Sequence, residues 1–389
     1  MPRIISPDSL ISMKEAQKLI LSSFKHQTKS RFIPVKNALG YTLADPVSIF
    51  RTIPPVTLAG MDGIALKSKE TRGASNEHLR EVSGISVNIG LPVPEDYDTI
   101  ISLEEVFKTE KDQFLISRPV SPRQHIIPKG SEAEKGQIIM QADHVLTPYD
   151  IAALIHFGVK DVAVRHWKVG MIATGDEIIP SKKEPHPGEI VDTNTIMISG
   201  YLQGFGVLTE GFPITPDEPD LIASRILSAC DTCDIVLVLG GTSAGTKDYS
   251  VDAIEKAGNL LFHGVAMEPG KPVLCGSVMG KPVLGMPGSP AACLLSFFQF
   301  VFTLLKSWGV PIPPKKHVIG EITRDIEPFF GYDLFYLVRT RYEDGVIRIF
   351  PLEWEFGYIT GISADGILHL PEWSNGYRKG ERVQISLIR

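Results

Sequence analysis

The stretch Gly240-Gly241-Thr242-Ser243-Ala244-Gly245-Thr246-Lys247-Asp248-Tyr249 follows the apolar run Asp234–Leu239. Glycines and small hydroxyl residues let backbone N–H groups face a phosphate with no Cβ in the way. Lys247 offers a cation for an anion. Asp248 offers a carboxylate for a metal, or simply an N-cap for the helix that should start there. Other loops carry the same kind of residues. They are Thr174-Gly175-Asp176-Glu177, Pro213 to Asp217, Glu268-Pro269-Gly270-Lys271-Pro272 and Pro287-Gly288-Ser289-Pro290.

Each of these loops needs an element to hold it. Lys168–Ala173, Val207–Phe212, Asp234–Leu239 and Leu260–Met267 read as strands. Val273–Gly276 and Pro282–Met286 read as a short pair. Ile196–Phe205 and Asp220–Ala229 have helical spacing. Asp192-Thr193-Asn194 supplies N-cap chemistry for the first of these helices, and Asp217 for the second. Strand and helix alternate, which predicts an α/β fold with a parallel sheet and helices on both faces. Ligands of such sheets bind beyond the carboxyl ends of the strands, where these loops lie.

Upstream and downstream segments differ in character. Residues 11–27 carry a helical pattern. Residues about 46–140 are rich in Gly, Pro and β-branched residues without helical period, as in a small β domain. Thr147–Gly158 is helical again. Pro311 to Lys316 reads as a stiff linker. The short strands that follow, Val346–Phe350, Ile367–Leu370 and Val383–Ile388, predict a C-terminal β-barrel or sandwich.

The order and spacing of GGTSAGTKDY, PGKP and GMPGSP resemble the MoeA-type molybdopterin molybdenumtransferases, the family of the gephyrin E domain. Pro54 to Gly63 resembles that family's M-D-G segment, and Leu91 to Pro94 its P-V-P turn. Thr174 to Glu177 and Asp192 to Asn194 match T-G-D-E and D-T-N. Ala364 to Gly366 and Lys379 to Glu381 carry the likeness to the end of the chain.

The resemblance implies a multidomain α/β architecture. A discontinuous N-terminal helical domain (1–45 and 141–166) would carry an inserted β domain (46–140). A molybdopterin-binding α/β domain (167–310) and a C-terminal β domain (311–389) would follow. It implies insertion of molybdate into adenylylated molybdopterin with release of AMP. By resemblance, Asp62, Glu177, Asp248 and Lys271 are the catalytic candidates. Glu177, Asp217 and Asp248 would hold a divalent cation, Mg²⁺. Gly240, Gly241, Thr242, Ser243, Gly245, Gly270, Pro287, Gly288 and Ser289 would contact the pterin nucleotide. The family further implies a homodimer in which Asp62 reaches the partner's sheet domain. Other proteins of cofactor synthesis are possible partners, and the cytoplasm is the expected location.

Some positions depart from the family pattern. Glu268 stands where a basic residue is usual, Ile89 where threonine is usual, and Leu337 where an arginine is expected. The changes fall on the cationic oxyanion cradle, and the glycine loops and carboxylates are kept. Two other readings therefore stay open. One is a nucleotide pyrophosphatase on the same fold, and the other a non-catalytic molybdopterin-binding scaffold.

Composition bounds the rest. The chain has 389 residues, 39 basic against 45 acidic, for a net charge of −6. No Lys/Arg cluster forms a nucleic-acid footprint. An anionic ligand must be drawn by local groups, since the global field opposes it. Ala291–Leu305 is interrupted by Ser296 and Gln299 and reads as a buried helix, shorter than a membrane span. Cys230 and Cys233 have C-x-x-C spacing, but no second pair completes a zinc site.

Overall fold

The computed structural model describes residues 9–25, 29–109, 113–241, 249–352 and 357–388. The chain divides into two compact units, Arg31–Val164, and Met1–Ser30 together with Arg165–Arg389.

The unit Arg31–Val164 contains an antiparallel sheet of five short strands. Their order is Thr99–Ser102, Gly63–Leu66, Arg80–Val87, Gln113–Ile116, Val106–Lys108. Alternate residues point inward, so Ile64, Leu66, Val82, Ile101, Phe114 and Ile116 form one core. A second core gathers Val35, Leu43, Leu146, Leu154, Val162 and Val164 around the helix Pro148–His156. That helix starts at a capping box. The Asp150 N–H donates to the Thr147 hydroxyl at 3.3 Å, and the Thr147 N–H donates to the Asp150 carboxylate at 2.8 Å.

The other unit is built on a six-stranded sheet. Its order is Leu208–Gly211, Lys168–Ala173, Ile235–Leu239, Lys281–Met286, Leu274–Val278, Asn259–His263. The first four strands are mutually parallel. Leu274–Val278 is antiparallel to both of its neighbours, so the sheet is mixed rather than wholly parallel. The reason is local. Met279 and Gly280 both have positive φ, 52° and 74°, which closes a two-residue hairpin between Leu274–Val278 and Lys281–Met286.

Ile235–Leu239 is buried at every position, as a central strand covered on both faces must be. Ile235, Leu237 and Leu239 pack on one side with Ile198, Leu202, Phe297 and Phe300. Val236 and Val238 pack on the other with Ile222, Ile226, Val251 and Ile254. The helices Asn194–Gln203 and Pro290–Ser307 therefore cover one face, and Pro219–Thr232 and Tyr249–Ala257 the other. The N-terminal helix Met13–Ser23 adds Met13, Ala16 and Ile20 to the first core.

Pro290–Ser307 reaches the length and hydropathy of a membrane span, contrary to the shorter reading of the apolar run. Phe297, Phe300, Val301, Leu304 and Leu305 are nonetheless fully buried in the sheet core, which explains their apolarity. A π-helical stretch, Phe297–Val301, interrupts its middle.

The expected strand Leu260–Met267 is two pieces. Asn259–His263 stays in the large sheet, the chain turns at Gly264, and Met267–Glu268 pairs in parallel with Asp333–Glu343. Asp333–Glu343 belongs to a C-terminal barrel of five strands. It pairs with Val346–Pro351 and with Gly366–Leu370, and His317–Ile322 and Arg382–Leu387 close the ring. Val338, Ile349, Leu368 and Ile385 fill its interior.

Candidate functional site

A cleft of about 790 Å³ opens at the carboxyl edge of the parallel strands. Its wall is assembled from loops that leave successive strands. Thr174 and Glu177 follow Lys168–Ala173, and Gly240 and Gly241 follow Ile235–Leu239. Glu268 to Pro272 follow the second piece of the broken strand, and Pro287 to Pro290 follow Lys281–Met286. Ile190 to Asn194 complete one side. A central strand must stop where its ladder ends, so these loops share one edge by construction.

Two glycines are obligatory here. Gly240 has φ +102°, and a Cβ on it would stand 2.6 Å from the Thr174 carbonyl oxygen. Gly270 has φ +123°, and its Cβ would meet the Met267 methyl at 2.7 Å and the Ser296 hydroxyl at 2.9 Å. A side chain at either position would force the loop outward into the cleft.

The cleft unites most of the residues singled out from the sequence. Glu177, Gly240, Gly241, Gly270, Lys271, Pro287, Gly288 and Ser289 all line it, and Glu268 stands among them. Asp217 does not line it. Thr242, Ser243, Gly245 and Asp248 lie outside the described residues. Asp62 belongs to the other compact unit, where its Oδ1 accepts the Ile89 N–H at 2.7 Å. Leu337 lines a small apolar cavity beside the cleft.

The charged lining residues are Glu177, Asp192, Glu268 and Lys271, three acids and one base among the described residues. Burial raises the Glu268 carboxyl above the usual glutamate range, and the Lys271 ammonium partly offsets this. Lys271 is held by its backbone, whose carbonyl accepts the Val265 N–H at 2.9 Å.

Asp217 is also pushed up, first by burial and then by the charges of Asp176 and Glu177. Its backbone N–H donates to Asp176 Oδ1 at 3.2 Å, and its own Oδ1 is buried with no hydrogen-bond partner among the described residues. This overturns its reading as a helix cap. Glu218 occupies the N-cap position of Pro219–Thr232, without a side-chain capping bond. Asp192, by contrast, does cap its helix, with Oδ1 accepting the Thr195 N–H at 3.1 Å.

No group of three or more His, Cys, Asp or Glu side chains among the described residues is placed to hold a metal ion. Asp217 fits a hard cation in part. It carries an orphaned carboxylate oxygen, and its proton affinity is raised by burial and then by two neighbouring acids, whose field a cation would relieve.

Two contributions escaped the sequence reading. Asn194 Nδ2 donates to the Gly288 carbonyl at 2.8 Å and ties two cleft loops together. Tyr358, from the C-terminal barrel, lines the cleft and is hydrogen-bonded to the Thr193 hydroxyl. The D-T-N motif pointed to Asn194, where only capping chemistry was read. No sequence signal pointed to Tyr358.

Comparison with known proteins agrees with this architecture. The domain family described as a probable molybdopterin binding domain matches residues 170–307. The MoeA N-terminal region, domains I and II, matches residues 11–158. A putative molybdopterin biosynthesis protein of Methanocaldococcus jannaschii is 26% identical over 98% of this chain and 99% of its own. The molybdopterin molybdenumtransferase of Staphylococcus aureus is 25% identical over 99% of this chain and 97% of its own. Among solved structures, a molybdopterin biosynthesis MoeA protein of Pyrococcus horikoshii superposes with a TM-score of 0.81. It is 26% identical, and the match covers 98% of this chain and 99% of that one. With its N-terminal region, its sheet domain and its whole-length fold all matched, this chain is a divergent member of the MoeA family.

Proposed function

We propose that this enzyme of molybdenum cofactor biosynthesis, a MoeA-like molybdopterin molybdenumtransferase, uses adenylylated molybdopterin and molybdate and releases AMP. The observation that carries this reading is the convergence of five loops, rich in glycine and proline, on one cleft of about 790 Å³ with Lys271 as the one lysine among the described residues of its wall. That volume suits a ligand of the size of a pterin nucleotide.

In the reaction, the phosphoanhydride bond breaks, a water oxygen ends on phosphorus, and AMP leaves. Molybdenum gains two bonds to the dithiolene sulfurs, and one molybdate oxygen departs as water with the two thiol protons. Backbone N–H groups around Gly241 and Gly288 receive phosphate oxygens, since no side chain intervenes. Lys271 holds negative charge as it shifts during cleavage. Glu177 and Asp217, with Asp248 by resemblance, would hold Mg²⁺. When bound, that ion neutralises the pyrophosphate oxygens.

Glu268 lowers the attraction for an oxyanion relative to other members of the family and makes insertion the more demanding half of the reaction. The protein acts in the cytoplasm as a homodimer, with Asp62 supplied to the cleft of the partner subunit.

One incubation tests the reading. The protein is supplied with adenylylated molybdopterin, Mg²⁺ and molybdate, and AMP and metal-containing cofactor are quantified. Both products in equal amount are expected. AMP without inserted metal would convert the assignment to a pyrophosphatase, and no AMP would leave a binding scaffold.

A further inference from the structure

Among the described lining residues of the cleft, all but Tyr358 come from the sheet domain between Ala173 and Ala292. Tyr358 opens the short helix Tyr358–Ser363, inserted between two strands of the C-terminal barrel. It is also the only aromatic side chain of that lining. The rest of the described lining is small, aliphatic, polar or charged.

Three observations show that this ring is presented rather than packed. First, Tyr358 is 45% exposed. Second, its helix contains no buried residue, and the apolar Ile359 and Ile362 are 82% and 66% exposed. Burial therefore does not explain the position of Tyr358. Third, its hydroxyl is hydrogen-bonded to Thr193, which occupies the N-cap position of Asn194–Gln203 without capping it. That cap is supplied by Asp192 instead, which leaves the Thr193 hydroxyl for the tyrosine.

Tyr358 and Pro290 also form the partition between the cleft and an apolar cavity of about 150 Å³ lined by Met197, Leu294 and Leu337. Tyr358 thus stands between an apolar space and a polar one. A tyrosine pinned at its hydroxyl and open to a polar cleft is a preorganised stacking surface. A planar heteroaromatic ring gains most from such a surface, and a phosphate or a simple oxyanion gains nothing from it.

We propose that Tyr358 is a specificity-determining residue that recognises the bicyclic ring of the substrate by stacking, with its hydrogen bond to Thr193 setting the orientation of the phenol. This rests on the pterin-nucleotide reading of the cleft. It further orients the ligand. The pterin lies toward Thr193 and the barrel, and the pyrophosphate that joins it to the adenosine lies toward Gly241 and Lys271.

The test measures equilibrium binding of adenylylated molybdopterin and, separately, of AMP to the full-length protein and to Y358F, Y358L and T193V. Loss of a stacking partner is expected to weaken binding of the pterin nucleotide to Y358L by about 5- to 150-fold. Y358F keeps the ring and should stay within about threefold of wild type, with T193V alongside it. AMP affinity should be the same in all four proteins. In turnover, Y358L should raise KM far more than it lowers kcat.

Unchanged binding of the pterin nucleotide to Y358L would overturn the proposal. So would a Y358F variant as impaired as Y358L, because the tyrosine would then be only an anchor for its helix. Equal weakening of AMP and of the pterin nucleotide in Y358L would also refute it, by moving the stacked ring to adenine or the defect to cleft shape. If the wild-type protein fails to bind the pterin nucleotide, the functional reading falls with it. If wild type binds and only the variants disagree, the fault lies with Tyr358 alone.

Discussion

Replacing Glu268 by lysine should lower the molybdate concentration needed for insertion. A sphere of the cleft's volume, 790 Å³, has a radius of about 6 Å, which sets the distance from wall to centre. At about 6 Å, two unit charges interact by roughly 0.7 kcal/mol in water and roughly 3 kcal/mol at an effective dielectric of 20. Glu268→Lys changes the wall charge by two, so even the aqueous limit gives about 1.4 kcal/mol per unit of ligand charge, a factor of ten. Glu268→Gln should give about half that free energy.

The assay is cofactor formation against molybdate concentration, with AMP release followed in parallel. Tenfold or more lower half-saturation for the lysine variant is expected, with the glutamine variant between it and wild type. Because burial raises the Glu268 carboxyl, its protonation as pH falls removes the same repulsion in the wild-type protein. Molybdate binding should therefore tighten on acidification in wild type, and the glutamine variant should lack this dependence. An unchanged saturation curve for Glu268→Lys would refute the charge argument. Abolished AMP release would show instead that Glu268 ligates a metal.

Other residues yield further expectations. Asp217→Asn should stabilise the fold while impairing AMP release. Its native carboxyl binds a proton more tightly than the unfolded one, so ionisation costs stability as pH rises from the unfolded value of about 3.9 through the raised native value, and the gain persists above that. Melting curves at pH 3 and pH 7 check this, and a gain confined to pH 3 would contradict it. Met279→Asn should raise stability by roughly 0.5–1 kcal/mol, because Met279 is 60% exposed and sits at φ 52°, where asparagine is tolerated better. Denaturant midpoints would read the gain, and a lowered midpoint would mean the side chain makes a contact that matters. Mixing inactive Asp62→Ala protein with inactive Asp248→Ala protein should restore part of the activity after subunit exchange. A mixed dimer keeps one cleft with both residues intact, and no rescue after confirmed exchange would remove Asp62 from the partner's site.

The sheet and its loops were legible because two signals coincided. Asp234–Leu239 is an unbroken apolar run, and the glycine-rich stretch after it cannot continue a strand. The same coincidence marked Thr174 to Glu177 and Pro287 to Pro290. The break in Leu260–Met267 was not legible, because an apolar run does not say which sheet each residue joins. Gly264 was the available sign. Asp217 misled for a related reason. An acid shortly before Pro219 has the pattern of a cap, but Asp176 draws its backbone away and leaves the capping position to Glu218. Tyr358 belongs to the class that sequence patterns cannot reach, since its partner Thr193 lies far away in the chain and, although Thr193 sits in the D-T-N motif, nothing around Tyr358 itself announces it.

The added strand Met267–Glu268 makes the barrel more than an appendage. Its residues pair with Asp333 and Leu334, and the Asp333 N–H donates to the Ala266 carbonyl at 3.0 Å. Glu268 and, three residues on, Lys271 therefore hang between two cooperative folding units. Local opening of the barrel would release the segment that carries both charges, while the glycine loops on the large sheet stayed closed. The charge pattern of the cleft is in this sense a property of the barrel's stability. Amide exchange at Glu268 should follow the barrel strands and not Ile235–Leu239.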